Sequence, residues 1–202
     1  MAQLVHPIDL GDVVLRRFRR DDLSDLGELY GTDAVTRYLY WDVRDERQAA
    51  HMLDQRLQRP VEVTDRNVLP VAVEDARQRC LIGDFMLRWT VNEHRQGEMG
   101  GALSPAFQGR GISLLVYGEL LRLGFANFAL HRIVGRCDAR NGPSIRSLEK
   151  AGLHQEANFF ENEYVKGEWT DEVVLAIRRA QWSDGRTRKS QPVHQYPRGV
   201  AP

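Results

Sequence analysis

The sequence predicts an α/β domain with a mixed, mostly antiparallel central sheet flanked by helices on both faces. The chain has 202 residues, a natural size for one α/β domain with a full core. Its first half is rich in strand-forming patterns. Its second half follows the order strand, helix, strand, helix and then two strands. Together these patterns predict a mixed sheet with helices packed against it.

The elements of the first half follow from alternation and helical spacing. Apolar residues alternate near the start of the chain, and Asp21 and Asp22 begin the first helix. An aromatic cluster of Tyr38, Tyr40 and Trp41 lies in the connection to a second, charged helix. The expected elements are strand 13–18, helix 20–30, helix 45–58, and a hairpin of strands 68–74 and 81–89 around residues 75–79.

The second half alternates strands and helices and ends in a polar segment. The expected elements are strand 97–104, helix 111–127, strand 131–137, helix 142–151, and strands 154–165 and 169–179. After Trp182, the segment 183–202 is rich in Gly, Pro and Arg and carries few sizeable apolar side chains. It is therefore expected to be a disordered tail, so that residues 1–182 form the folded domain.

Composition and charge exclude several classes of function. The 28 Lys and Arg residues balance the 28 Asp and Glu residues, so no global positive field attracts nucleic acid. The N-terminus lacks the basic and long apolar regions of a signal peptide, and no apolar run is long enough to span a bilayer. Cys80 and Cys137 are expected to be reduced core residues. We therefore expect a cytoplasmic protein that binds neither nucleic acid nor membrane.

The most informative segment is Pro105-Ala106-Phe107-Gln108-Gly109-Arg110-Gly111-Ile112-Ser113, which opens an apolar run with helical spacing. Two glycines one residue apart allow a tight turn and a close approach of backbone N–H groups to a ligand. A helix N-terminus carries unpaired donors and a partial positive charge, which suits a phosphate. A short strand precedes the turn, so the segment predicts a pyrophosphate cradle. The alternative is an ordinary junction between a loop and a helix.

Spacing excludes two other phosphate-binding motifs. A P-loop requires G-x-x-x-x-G-K-[ST], and no such string occurs. A dinucleotide fingerprint requires G-x-G-x-x-G near the start of a βαβ unit. Here position 114 is Leu, and the turn lies past the middle of the chain. Neither an NTPase nor a dinucleotide-dependent dehydrogenase fits.

A second block points to a family. Asn141-Gly142-Pro143-Ser144-Ile145-Arg146-Ser147-Leu148-Glu149-Lys150-Ala151-Gly152-Leu153 resembles the N-x-x-S-x-x-x-x-E-K-x-G-F block of GNAT acyltransferases. Residues 108–113 resemble the acetyl-CoA motif of that superfamily, with Ser113 in its Gly/Ala position. Segments 14–23 and 167–172 further resemble the RimJ/RimL type, the N-terminal acetyltransferases of ribosomal proteins. The resemblance covers residues 12–182 and implies the GNAT fold.

The resemblance also implies the cofactor and the residues that hold it. The expected cofactor is acetyl-CoA, and a serine hydroxyl at position 113 could itself contact phosphate. The predicted cofactor-binding residues are Leu103, Ser104, Gln108, Gly109, Arg110, Gly111, Ile112, Ser113, Asn141 and Ser144. Asn141 is expected to hydrogen-bond the cofactor arm, with a helix N-cap as the alternative.

The group that protonates the leaving thiol is expected to be Ser144. Many GNAT enzymes carry a Tyr seven residues after the Asn of the block, but here that position is Leu148. Ser144 stands where RimL-type enzymes carry a serine proposed to protonate the thiolate. A thiol with a pKa of about 8.5 needs only a weak acid. The alternative is a helix-start hydroxyl that bonds nearby N–H groups.

Three carboxylates are candidates for the base. Glu98 begins the strand that leads to the cofactor, and its alternative role is a solvated strand end. Glu161 and Glu163 lie in the region where RimL-type enzymes use an acid to deprotonate the amine. Period-2 spacing places both on one strand face, and a plain exposed charged face is the alternative. Glu161 and Glu98 are the first candidates for catalysis, whereas Glu163 is expected to contact the substrate.

The remaining candidates concern the acceptor and the mode of transfer. Tyr38, Trp41 and Trp169 are predicted to line a substrate cleft, with a core role as the alternative. Asp171 is expected to position substrate or to cap a strand turn. The six His residues show no metal-ligand spacing, so no metal is predicted. Neither Cys lies in a nucleophile motif, which favours direct transfer in a ternary complex.

The leading hypothesis is an acetyl-CoA-dependent N-acetyltransferase that acts on a protein or peptide α-amine. An α-amine with a pKa of about 8 is roughly 10% neutral at pH 7, so a modest base suffices. One alternative is a small-molecule amine acetyltransferase acting on an antibiotic or a metabolite. A cleft rich in acidic groups would favour a polycationic acceptor, but the sequence shows no such cluster. A weakly active acyl-CoA-binding protein is the other alternative, and a homodimer is left open.

Overall fold

The computed structural model describes residues 6–58, 66–90 and 94–182. Within these residues, eight strands form one sheet, and five α-helices pack against it or connect its strands. The strands are β1 (Ile8–Asp9), β2 (Val13–Arg16), β3 (Arg66–Asp75), β4 (Leu81–Thr90), β5 (Gln96–Leu103), β6 (Arg132–Asp138), β7 (His154–Val165) and β8 (Glu168–Arg178). The helices are α1 (Leu23–Tyr30), α2 (Asp33–Thr36), α3 (Glu46–Gln58), α4 (Ile112–Arg122) and α5 (Gly142–Lys150).

The strand order is β1-β2-β3-β4-β5-β6-β8-β7. Neighbouring strands are antiparallel except for the pair β5 and β6, which is parallel. The chain needs α4 to cross from β5 to β6, because a parallel pair cannot be joined by a tight turn. The prediction of a mixed, mostly antiparallel sheet is therefore confirmed.

Two hydrophobic clusters lie on opposite faces of the sheet. The larger one packs α4 and α5 against inward residues of the strands, including Val71, Phe85 and Leu175. The smaller one packs α1 and α3 against residues that point to the opposite face, including Ala72 of β3 and, beyond a shift in the β3–β4 register, Leu81 of β4. Because successive strand residues point to opposite faces, this alternation places helices on both faces, as predicted.

The start of α1 is fixed by a buried charge network. Asp22 accepts hydrogen bonds from the Arg19 backbone N–H at 2.7 Å and from the Arg16 guanidinium at 2.6 and 2.9 Å. Arg16 also pairs with Glu74 of β3, and all three charged side chains are almost fully buried. A buried ion pair requires such complete hydrogen bonding to offset desolvation. The acidic residues at this helix start therefore tie α1 to the sheet.

Several boundaries differ from the sequence predictions. Strand β1 and helix α2 were not predicted from the sequence. The first helix begins with a 3-10 turn at Arg20–Asp22, and α4 ends in a π-helical turn at Leu123–Asn127. Cys80 lies just before β4 rather than within a strand, and it is half-buried against the larger hydrophobic cluster. The predicted tail, 183–202, lies outside the described residues.

Two further findings concern the described part of the chain. It contains no helix that is both long and apolar enough to cross a membrane. It also contains no group of three or more His, Cys, Asp or Glu side chains arranged to hold a metal ion.

Candidate active site

The sheet opens between β5 and β6. The parallel ladder joins only three residue pairs, from Gln96 with Arg132 to Glu98 with Val134. Beyond these pairs β5 continues to Leu103 beside β4, and β6 continues to Asp138 beside β8. Each strand is thus held on its outer edge while no ladder pairs residues 99–103 with 135–138 in the described chain. The inner edges of these two segments border a gap that can take an extended ligand.

The glycine turn follows the unpaired end of β5 and leads into α4. Gly109 and Gly111 both have left-handed backbone conformations, with φ of 76° and 78°. A Cβ atom added at either position would meet no other atom within 4 Å, so the space above the turn is open. Gly111 is the N-cap residue of α4, and no side chain caps that end. The first N–H groups of α4 are therefore free to bind an anion.

The other predicted cofactor-binding residues of this segment hold the turn in shape. The Gln108 side-chain amide donates to the Leu103 carbonyl at 2.9 Å, and the Arg110 guanidinium donates to the Ala106 carbonyl at 2.8 Å. Arg110 also lies over the ring of Phe107. The Ser104 backbone N–H donates to Ile82 at 2.8 Å. Ile112 is buried and Ser113 half-buried at the start of α4.

The second block of the sequence forms α5, which borders the gap on the side of β6. Asn141 is the N-cap of α5, and its side-chain oxygen accepts from the Ser144 backbone N–H at 3.2 Å. The structure thus supports the capping alternative for Asn141. Leu148, at the position of the missing Tyr, is buried against Gly135 of β6. That position contributes to the core and provides no acid.

The Ser144 hydroxyl lies in a small polar cluster on the α4 face of the sheet. It is 3.3 Å from the Cys137 sulfur of β6, and it interacts with the hydroxyl of Tyr117 on α4. Burial raises the pKa of the Cys137 thiol, and the contact with Ser144 lowers it. Burial likewise raises the pKa of Tyr117 far above its ordinary value. Cys137 is therefore a half-buried neighbour of Ser144 that packs against the larger hydrophobic cluster.

A row of alternating charges crosses four strands on the opposite face, which we call the carboxylate face. Arg88 of β4 contacts Glu98 of β5 at 2.7 Å, and Glu98 lies 3.7 Å from Arg136 of β6. Arg136 in turn contacts Glu172 of β8 at 3.1 Å. An added Cβ at Gly100, two residues beyond Glu98 on the same face, would meet nothing within 4 Å. The row therefore borders open space beside the gap.

Glu172 is the most buried member of this row. Its side chain is 4% exposed, and Oε2 accepts hydrogen bonds from Arg136 and from the Asn162 amide at 2.9 Å. Its other oxygen, Oε1, is buried and has no hydrogen-bond partner among the described residues. The buried carboxylate thus keeps one acceptor oxygen unused.

The expectation that Glu161 and Glu163 share a strand face rests on an alternation that the structure breaks. Pairing between β7 and β8 shifts register between Phe159 and Glu163. Glu161 lies in this bulge with a φ of 45°, and its backbone N–H donates to the Asp171 carboxylate at 2.9 Å. Period-2 spacing is therefore wrong here, because the bulge inserts extra residues into one strand. Asp171 holds the bulge, and Glu161 is exposed.

The loop after α2 and the β7–β8 hairpin lie beside the carboxylate face. The Lys166 ammonium at the β7–β8 turn donates to the carbonyl of Thr36, the last residue of α2, at 2.8 Å, and lies 3.6 Å from the Asp42 carboxylate in the loop that follows. Partial burial, followed by the charges of Glu163, Glu172 and Glu98, raises the pKa of Tyr40 in that loop. The loop and the hairpin therefore form two walls beside the charged row.

The predicted substrate-binding aromatics differ in exposure. Trp169 is 60% exposed and packs beside Tyr164, with ring centroids 5.3 Å apart. Trp41 is half-buried and lies edge-on against Tyr30 of the smaller core cluster, which fits the core alternative better. Tyr38 is half-buried next to Arg37. Only Trp169 of the three presents a largely free ring.

The residues present fit acetyl-CoA. The open turn at Gly109 and Gly111 would hold its pyrophosphate, and the unpaired edges of β5 and β6 would hold its arm. Acetyl-CoA supplies an activated acetyl thioester. Ser144 lies on the α4 face of the sheet, and the carboxylates Glu98 and Glu172 lie on the other face.

Sequence reasoning missed Tyr117, Arg136, Asn162 and Glu172. Arg136 and Glu172 are three-dimensional partners that lie 36 positions apart, and no local motif joins them. A signal was nevertheless present in β8, where Glu172 directly precedes the apolar run Val173-Val174-Leu175-Ala176-Ile177. A charged residue within a buried strand requires partners and often marks a site.

Comparisons with known proteins agree with this geometry. Residues 12–154 match the Acetyltransferase (GNAT) domain. The uncharacterized N-acetyltransferase YnaD of Bacillus subtilis is 29% identical over 172 residues, which cover 85% of this chain and 96% of that protein. Among solved structures, a GNAT-family acetyltransferase from Bacillus anthracis has a TM-score of 0.75 at 22% identity, with 87% of this chain and 99% of that one covered.

A spermidine N-acetyltransferase from Vibrio cholerae, solved with CoA and spermine, has a TM-score of 0.69 at 22% identity. The match covers 84% of this chain and 97% of that one. At such identities these two structures show the shared fold, while the domain match covers well over half of the chain. The chain therefore belongs to the GNAT family and is an acetyltransferase that uses acetyl-CoA.

Proposed function

We propose that this protein transfers an acetyl group directly from acetyl-CoA to a primary amine, and that its acceptor is the α-amine of a protein or peptide. The observation that carries the proposal is the gap between β5 and β6, which is bordered by Ser144 on one face and by carboxylates on the other. Transfer needs a proton acceptor for the ammonium and a proton donor for the leaving thiolate. The two faces supply one of each.

Some of the site residues bind the cofactor or the acceptor, and others transfer protons. The N–H groups of residues 109–113 bind the pyrophosphate, and Asn141 holds the start of α5. Ser144 gives its proton to the leaving sulfur and is held in place by Cys137 and Tyr117. Glu98 and Glu161 are the carboxylates predicted from sequence to accept the amine proton. Glu163 and Trp169 border the path of the acceptor.

The choice of an α-amine rests on the RimJ/RimL-like segments 14–23 and 167–172. With that choice we propose a cytoplasmic enzyme, and we leave a homodimer as its assembly to be tested. An α-amine is partly neutral at physiological pH, so a site without a strongly basic group suffices.

A second candidate acceptor is a small polycationic amine. The fold brings three carboxylates, those of Glu98, Glu163 and Glu172, near Tyr40, where partial burial and then their charges raise the pKa of Tyr40 and the charge of Arg136 lowers it. Negative groups in a partly closed cleft attract cations. The family resemblance of the terminal segments favours the peptide, and the cleft charge favours the polyamine.

A panel of acceptors distinguishes these functions. Free thiol release from acetyl-CoA is measured with peptides that carry free α-amines, with spermidine and with an aminoglycoside. The proposal expects the highest kcat/KM with a peptide. A higher value with spermidine would replace the peptide by the second candidate, and tight acetyl-CoA binding without transfer to any amine would indicate an acyl-CoA-binding protein.

A further inference from the structure

We propose that Glu172 is the group that binds the acceptor amine on the carboxylate face and takes its proton. The proposal rests on the proposed function, since it assigns a residue to the deprotonation step of that reaction. It adds a carboxylate on β8 that lies outside the blocks 108–113 and 141–153, at the end of the RimJ/RimL-like segment 167–172, and that was not among the sequence-predicted site residues.

The first argument is the unused oxygen of Glu172. A buried charged group that lacks a hydrogen-bond partner is costly, so native structures satisfy such atoms. Oε2 already accepts from Arg136 and Asn162, whereas Oε1 accepts from no described residue. An ammonium matches this unpaired carboxylate oxygen, because it is positively charged and donates hydrogen bonds.

Glu172 belongs to the charged row that crosses the sheet beside the gap. Glu172 is joined through Arg136 to Glu98, the last residue of β5 that is still paired with β6. Glu172 itself pairs with Asp138 of β6, one strand away from the unpaired edge of β6, on the face opposite Ser144. An amine held there can reach an acetyl group in the gap from one face, while the thiol leaves towards the other.

The third argument is a comparison with the other carboxylates. Glu98 is flanked by two guanidinium groups, those of Arg88 and Arg136, and is more exposed than Glu172. Glu161 is exposed in a bulge of β7. Burial strengthens electrostatic interactions because the local dielectric constant is lower than that of water. Glu172 thus offers an ammonium the strongest partner of the three.

In the proposed step, Glu172 takes one proton from the acceptor ammonium before the nitrogen attacks. The ammonium N–H bond breaks, its proton forms an O–H bond at Oε1, and the electron pair stays on nitrogen. That pair forms the C–N bond to the acetyl carbon while the C–S bond breaks. The sulfur takes a proton from the Ser144 hydroxyl, and the nitrogen loses its second proton to solvent. Glu172 then releases its proton to solvent and Ser144 regains one from solvent, so the net products are an acetamide, free coenzyme A and one proton.

The decisive variant is Glu172→Gln, which keeps an oxygen for Arg136 and Asn162 but cannot take a proton. At pH 7 an α-amine is roughly 10% neutral and an alkylamine only about 0.04% neutral. We therefore expect kcat/KM to fall at least about tenfold for an α-amine peptide and at least about a hundredfold for spermidine. The Kd for acetyl-CoA should not change.

The matched control is Glu168→Gln on the same strand, which removes an exposed carboxylate paired with Arg140 and should leave transfer unchanged. Glu172→Asp retains the carboxylate but withdraws it, so it should lose less activity than Glu172→Gln. This variant also decides the question if Glu172→Gln does not fold, since an activity equal to that of the wild type would overturn the proposal.

The pH dependence separates a proton acceptor from a structural residue. The groups that surround Glu172 are Arg136, Cys137 and Asp138 on β6, Glu98 on β5, Glu163 on β7 and Tyr40. All of them remain in Glu172→Gln, and the free-amine fraction rises about tenfold per pH unit below the acceptor pKa. The deficit with the peptide should therefore shrink to below about threefold at pH 9.

Two results would overturn the proposal in distinguishable ways. If the wild type transfers acetyl groups and Glu172→Gln does so within about threefold at pH 7, or with a deficit that is constant from pH 7 to pH 9, Glu172 is not the proton acceptor. If the wild type transfers to no amine of the panel, the proposed function fails and the role of Glu172 fails with it.

Discussion

The two faces of the gap between β5 and β6 are built in different ways. On the α4 face, the cofactor is expected to meet backbone N–H groups at a glycine turn and one helix N-terminus. On the carboxylate face, the acceptor is expected to meet side chains that come from β4, β5, β6, β7 and β8. A site made of backbone groups needs particular residues in sequence, whereas a site made of side chains needs only that strands lie in register.

This difference explains what could be predicted from the sequence. The turn at Gly109 and Gly111 was predicted because its left-handed conformations require glycine at fixed spacing. The mixed sheet was predicted because strand and helix periodicities differ. Such local signals are read directly from the chain.

The carboxylate face left no comparable signal. Glu172 meets Arg136 only because β6 pairs with β8 rather than with its chain neighbour β7. The bulge at Glu161 defeats the period-2 rule, and Asp171, which holds it, carries no motif that marks such a role. Strand order and irregular pairing are properties of the whole fold, so a local pattern cannot reveal them.

The largest effect on the α4 face is expected for the rate of acetyl transfer in Ser144→Ala. Loss of a proton donor typically slows the chemical step by about 10² to 10⁴-fold. Single-turnover rates with saturating acetyl-CoA should fall within this range, while calorimetry should show unchanged acetyl-CoA affinity. A fall of less than about threefold would mean that water donates the proton and that Ser144 serves only the packing of α5.

A smaller effect is expected for Gly111→Asp, which adds a side chain and a negative charge to the phosphate approach. We expect the Kd for coenzyme A to rise at least about tenfold, equivalent to about 1.4 kcal/mol. Gly11→Asp is the matched control, because Gly11 also has a left-handed φ, of 91°, and open space around it. If both folded variants bind coenzyme A as the wild type does, the cradle is contradicted.

The two cysteines provide a milder probe of the α4 face. Burial raises the pKa of both Cys80 and Cys137, so fewer thiolates are present at a given pH and alkylation should accelerate as the pH rises. Saturating desulfo-coenzyme A should slow iodoacetamide labelling of Cys137, which lies against Ser144, and leave Cys80 unchanged. Mass spectrometry reports both sites in one sample, and equal protection of the two would argue against a cofactor beside Ser144.

The smallest effect is expected for removal of residues 183–202. The segment has few sizeable apolar side chains and can bury little surface. Truncation before Ser183 keeps Trp182, which packs against Phe125 with ring centroids 5.5 Å apart. The melting temperature and kcat/KM should stay at the wild-type values, and a large loss of either would show that the basic segment contributes to the site or to an assembly.

If the two faces act separately, substitutions on them affect different steps of the reaction, and one factorial experiment measures both steps. The acetyl-CoA Kd and the single-turnover rate at saturating acetyl-CoA are determined for the wild type, Gly111→Asp, Glu172→Gln and the double variant. We predict that Gly111→Asp changes only the Kd, that Glu172→Gln changes only the rate, and that the double variant shows both changes, additive in free energy. If Glu172→Gln binds acetyl-CoA as weakly as Gly111→Asp does and its single-turnover rate is unchanged, the two faces do not act separately.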